Sequence, residues 1–141
     1  MNRILIDTDV ILDFLYDRKP FSDYATMIMD GCEKAHIEGY ITPVIVSNVY
    51  YLLRRTASHT KVVEALRRLL TFVRIIPIDG QVVTQALHSD FKDFEDALQN
   101  FAAERSGTVD VIVTRNIKDF KNSGLSVLTP EDYIKIQNSG F

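Results

Sequence analysis

Short apolar runs punctuate this chain: RILI at 3–6, VRIIPI at 73–78, DVIVT at 110–114 and LSVLT at 125–129. Each has the length of a strand and lacks the polar alternation of a strand with one wet face, so buried parallel strands are expected. YIT at 40–42 reads as a fifth, between a helix ending near Gly39 and a helix opening with Pro43 in its first turn. Between the runs the apolar period changes. Ala25, Ile28, Met29, Cys32, Ala35 and His36 share one face of a helix from about Ser22, and Val62, Val63, Leu66, Leu69 and Leu70 share another. Thr129, Pro130, Glu131 and Asp132 carry the cap, first-turn proline and acids of a short terminal helix. Strands alternating with helices predict an α/β fold with a central parallel sheet of about five strands and helices on both faces.

With 141 residues, 46% of them hydrophobic, the chain suffices for one domain over residues 1–141 with its own core. Cys32 has no internal partner, and Cys32, His36, His59 and His88 show no zinc-type spacing, so a reducing compartment, the cytoplasm, is expected. No apolar stretch approaches the roughly 20 residues that span a bilayer, so no membrane is expected as a partner. The net charge of −3 conceals a basic zone made of Arg54, Arg55, Lys61, Arg67, Arg68 and Arg74, opposed by Glu64.

The acids are distributed less evenly. RILIDTDVILDF places Asp7, Asp9 and Asp13 directly after the first apolar run. In an open parallel sheet ligands bind beyond the carboxyl ends of the strands, where Asp7 and Asp9 fall. If the backbone stays extended past Ile6, the two side chains project to the same side. An isolated DTD is better explained by helix capping. DFKDFEDALQNFAAE adds Asp93 and Asp96, one helical turn apart near a helix start, and VIVTRNIKDF brings Thr114, Arg115, Asn116 and Asp119 to the end of another strand. Three distant segments thus converge on one predicted sheet edge. Clustered carboxylates stay ionised when a cation joins them, and oxygen ligands suit Mg²⁺ or Mn²⁺. Such an ion activates water for phosphodiester hydrolysis without a side-chain nucleophile, for which no Ser/His/Asp or Cys/His arrangement is present.

LIDTDVILDFL, DFEDALQNFAAE and VIVTRNIKDF, in this order and spacing, resemble the opening strand with first acid, the third acid on its helix, and the closing strand with site loop of the PIN-domain nucleases, including the toxin ribonucleases of bacterial toxin–antitoxin pairs. The resemblance implies a three-layer α/β/α domain, dependence on Mg²⁺ or Mn²⁺, and cleavage of single-stranded RNA. It also implies a small antitoxin protein as partner, and a homodimer. Its first acid maps onto Asp7 and its third onto Asp96. The second and fourth, usually Glu and Asp, fall on Asn48 in VIVSNVYYLLRR and on Asn116. Asn offers a neutral carbonyl oxygen, so metal affinity should drop unless Asp9, Asp93 or Asp119 compensates.

The catalytic set expected from the sequence is therefore Asp7, Asp96, Asn48 and Asn116. Asp9, Asp93 and Asp119 join Asp7 and Asp96 as metal ligands, and Arg115, Thr114, Arg54 and Arg55 contact RNA. Tyr50 and Tyr51 beside those arginines suit base stacking, although tyrosines in an apolar helix more often belong to a core or an interface. Two rival readings accompany this one. In the first, the missing acids leave a PIN-like RNA- or protein-binding module. In the second, DTDVI resembles the nucleophile motif of haloacid-dehalogenase-type phosphatases, with Ile11 in place of the expected Thr or Val.

Overall fold

The computed structural model describes residues 1–139; residues 140–141, the end of the expected single domain, lie outside the described part. Five parallel strands form the sheet: β1 (Arg3–Ile6), β2 (Glu38–Ile41), β3 (Val73–Ile75), β4 (Val111–Val113) and β5 (Ser126–Leu128). Their order is β3-β2-β1-β4-β5, which puts the chain's first strand at the centre. Its neighbours register Leu5 against Tyr40 on one side and Ile112 on the other. Burial explains the composition of these runs, because Ile4, Leu5, Ile6, Val111, Ile112 and Val113 are all fully enclosed.

The helices are α1 (Thr8–Leu15), α2 (Ser22–Glu33), α3 (Pro43–Leu53), α4 (His59–Leu69), α5 (Gly80–Leu87), α6 (Phe94–Ser106) and α7 (Pro130–Ser139). Progression β1→β2→β3 runs one way across the sheet and β3→β4→β5 the other. Right-handed crossovers then place α1 to α4 on one face and α5 and α6 on the opposite one, which gives the three-layer α/β/α sandwich. Packing agrees, since α1 meets α2 and α3, α3 meets α4, and α5 meets α6. Strand order reverses between β1 and β4, and the segments leaving these strands diverge to open a crevice at the sheet's carboxyl edge.

Three local readings are corrected. α2 stops at Glu33, not near Gly39, and Gly39 belongs to β2, where a Cβ would come within 2.7 Å of Cys32 Sγ. The chain stays extended only through Asp7, which caps α1, and helix begins at Thr8, so Asp9 does not continue the strand. On α4, Val62, Leu66 and Leu69 are buried, whereas Leu70, expected on the same face, lies at the helix end and is exposed. No helix among the described residues is long and apolar enough to cross a membrane.

Candidate active site

Asp7 leaves β1 with its backbone still in the sheet, donating to Val113 O at 3.0 Å. Its Oδ1 accepts from Thr8 N at 2.8 Å and so caps α1, while its Oδ2 accepts from the Thr114 hydroxyl at 2.7 Å. Thr114 is fully buried, and its hydroxyl also accepts from Asn116 N at 3.0 Å. One threonine thus links the ends of the two strands that flank the crevice. Burial pushes the Asp7 carboxyl above the ordinary range, against the lowering effect of these two hydrogen bonds.

Asp9 sits in the first turn of α1, and its Oδ2 accepts from Asn116 Nδ2 at 2.8 Å. From the other side, α6 starts at the Asp93 cap, whose Oδ1 accepts from Asp96 N at 3.0 Å. Asp96 lies in the first turn of the helix. Its carboxyl is pushed up to about 7, first by desolvation and then by the negative charge of Asp93, Asp7, Asp119 and Glu95. Asn48 projects from α3 and donates Nδ2 to Glu95 Oε2 at 3.0 Å. All these side chains, with Asp119 from the short 3-10 turn after β4, line one cleft of about 490 Å³.

Every residue of the expected catalytic and metal set (Asp7, Asp9, Asn48, Asp93, Asp96, Asn116 and Asp119) therefore borders the same cleft. The residues expected to meet RNA do not. Thr114 is enclosed behind Asp7, so it positions that carboxylate and meets no solvent. Arg115 turns away to the buried Asp13, with Nε 2.8 Å from Oδ2, and its guanidinium lies 4.1 Å above the Phe21 ring. Arg54 donates to Ala57 O, and neither Arg54 nor Arg55 borders the cleft. Two of the lining residues, Glu95 and Gln99, escaped the sequence reading. Glu95 is the neighbour of Asp96 in the first turn of α6, and Gln99 follows Asp96 by three, the spacing of one helix face. Tyr51 borders the cleft with 68% of its surface exposed.

A divalent cation suits this donor set in a particular way. Among the described residues no three Asp, Glu, His or Cys side chains already close on a single point, so the site is no preformed cage. Mg²⁺ needs none, because it keeps several waters and takes one or two carboxylates. Desolvation raises Asp96 most, and the mutual repulsion that adds to it is what a cation beside it would relieve.

Fold and cleft define an α/β domain with an acid-lined site at its topological switch point. The PIN domain model matches residues 3–118, and the chain belongs to that family. Membership removes the haloacid-dehalogenase reading. Among solved structures the chain is similar to a toxin–antitoxin complex from Klebsiella pneumoniae, at 21% identity and TM-score 0.68 over 90% of this chain and 97% of that one. It is likewise similar to FitAcB from Neisseria gonorrhoeae, at 20% identity and TM-score 0.65 over 91% and 98%. VapC20 of Mycobacterium tuberculosis, a Sarcin-Ricin loop cleaving toxin, matches at 19% identity and TM-score 0.60 over 77% and 86%. A search of curated proteins found no match.

Proposed function

We propose that this protein is a divalent-metal-dependent endoribonuclease acting on single-stranded RNA, and the toxin of a toxin–antitoxin pair. The observation that carries the reading is the convergence on one cleft of Asp7, Asp9, Asp93, Glu95, Asp96 and Asp119, with Asp96 pushed up to about 7. Asp7 and Asp96 would hold Mg²⁺ or Mn²⁺, with Asp9, Asp93 and Asp119 as further carboxylates in the same cleft. Bound there, the ion supplies an activated water and offsets charge on the scissile phosphate. Thr114 keeps the Asp7 carboxylate aimed into the cleft, Asn116 holds Asp9, and Asn48 holds Glu95. Asn48 and Asn116 thus work through the acids they fix.

Membership of the PIN family and the likeness to toxin–antitoxin complexes support the toxin role and a small antitoxin protein as partner. Action in the cytoplasm as a homodimer completes the proposal. A second reading, a PIN-like module that binds RNA or protein without cutting, draws on those same two amides, which contribute hydrogen bonds where charge would strengthen metal binding. Calorimetric titration with Mn²⁺ beside an RNA cleavage assay decides between them. Cleavage lost together with Mn²⁺ binding in Asp7→Asn supports the nuclease, whereas Mn²⁺ binding without any cleavage by the wild type supports the module.

A further inference from the structure

An acid-lined cleft repels the polyanion it is proposed to cut, so the strand needs cations beside the centre as well as within it. The arginines marked by the sequence do not supply them: Arg115 is held by Asp13 and Phe21, and Arg54 and Arg55 lie off the cleft. The structure offers others. A second cavity, of about 360 Å³, shares Asp93, Asp96 and Asp119 with the acid centre and is bordered by Lys92, Lys118 and Lys121. These lysines are exposed, and among the described residues none forms an ion pair, although four carboxylates, Asp90, Asp93, Asp96 and Asp119, border the same cavity. Their ammonium groups are free for an outside anion.

The support beneath them is anchored in the core. Phe120, 1% exposed, pins the 3-10 turn that carries Lys118 and leads into Lys121. Its ring meets Phe91 edge-on at 6.2 Å, and Phe91 meets Phe101 at 5.7 Å, so the half-buried Phe91 forms an apolar floor. Asn122 Nδ2 donates to Asp90 O at 3.3 Å and ties the far wall to the loop carrying Lys92. An apolar floor beside three unpaired lysines, opening directly onto the acids, matches one nucleotide of a strand whose neighbouring phosphodiester lies at the centre.

We propose that this lysine-lined annex is a subsite for the backbone phosphate next to the scissile one. The proposal rests on the ribonuclease reading above. Fluorescence polarisation of a labelled, unstructured oligouridylate with the full chain, in EDTA to prevent hydrolysis and over a KCl series, tests it. Lys118→Gln with Lys121→Gln is expected to weaken binding about tenfold and to flatten the log K against log [KCl] slope by about 1 to 2. Arg54→Gln with Arg55→Gln should stay within about twofold of wild type by the same argument. Unchanged affinity and slope in the lysine variant, or losses in the arginine variant alone, would overturn the subsite. If the wild type hydrolyses RNA with Mn²⁺ and the lysine variant matches it in both binding and KM, the subsite fails and the ribonuclease stands. A wild type that neither binds nor hydrolyses RNA removes both. Lysine variants that lose only co-purification with the product of an adjacent gene, and keep RNA binding, would assign the annex to a protein partner and overturn the proposal.

Discussion

At the scale of single residues, the cleft is governed by how its carboxylates are held. Asp7 uses both oxygens, one on Thr8 N and one on the Thr114 hydroxyl. Thr114→Val keeps the shape of that buried side chain and removes the donor, so a buried carboxylate loses a charge-assisted hydrogen bond worth about 2 kcal/mol. Chemical denaturation should report that loss in the metal-free protein, and Mn²⁺ should bind more weakly because Asp7 holds its proton more firmly. Asn48 and Asn116 call for a different experiment. Each amide donates to a carboxylate, Glu95 or Asp9, so Asn48→Glu with Asn116→Asp replaces two hydrogen bonds by two like-charge contacts. The metal-free double variant should therefore melt lower than wild type by several degrees, for a loss of about 2 kcal/mol. Its thermal gain on adding Mn²⁺ should exceed that of the wild type, since a cation relieves the repulsion it introduces. A smaller gain would mean that positions 48 and 116 do not act on the ion.

At the scale of elements, caps and close approaches decide where chain segments start and how near they lie. Asp7, Thr42, Ser58, Asp79 and Asp93 each cap a helix, and the first and last of these are also cleft residues. Capping and function therefore do not compete here, and the bland explanation of DTD and DFED is true alongside the chemical one. Gly39 shows the close-approach constraint. Its missing Cβ lets β2 lie against Cys32 of α2 and Ile6 of β1, at 2.7 Å and 3.0 Å from where a Cβ would stand. Gly39→Ala should cost about 1–3 kcal/mol in urea unfolding, because buried neighbours must shift. The sequence conveyed Gly39 only as a helix stop, since a lone glycine marks a helix end as readily as a crowded strand. The strand runs were legible because burial on both faces leaves an uninterrupted apolar signature. Asn48 beside Glu95 was not, because the pair joins α3 to α6 across 47 positions of chain. Lys118 was illegible for the same reason, whereas Arg54 and Arg55 drew notice as neighbours in sequence and then fell outside the cleft.

At the scale of the whole molecule, the cleft is a long-range product: Asp7, Asn48, Asp96 and Asn116 come from four separate segments and meet only when the sheet is complete. A cation bound there has no comparable site in the unfolded chain, so its binding free energy becomes stability, about 2.7 kcal/mol at a hundred times Kd. Proton linkage gives that stability a direction. Asp96 titrates near 7 in the fold against 3.8 in its ordinary state, so between these values the folded protein holds a proton that the unfolded chain has released. The stabilisation from that proton is complete below the unfolded value and is lost as pH rises through 7. Solvent screening at this half-buried carboxyl limits the loss to about 1 kcal/mol. Burial raises Asp7 as well, which adds to the same slope. The metal-loaded protein should run the other way, since Mn²⁺ must displace these protons and its affinity climbs with pH until Asp96 is ionised. Melting curves from pH 5.5 to 8.5 should therefore diverge, falling in EDTA and rising or holding level in Mn²⁺. Asp96→Asn should flatten both curves and raise the EDTA melting temperature at pH 8 by about 3 °C, the shift expected from about 1 kcal/mol in a domain of this size. Parallel curves for wild type in EDTA and Mn²⁺ would show that the ion does not bind at Asp96.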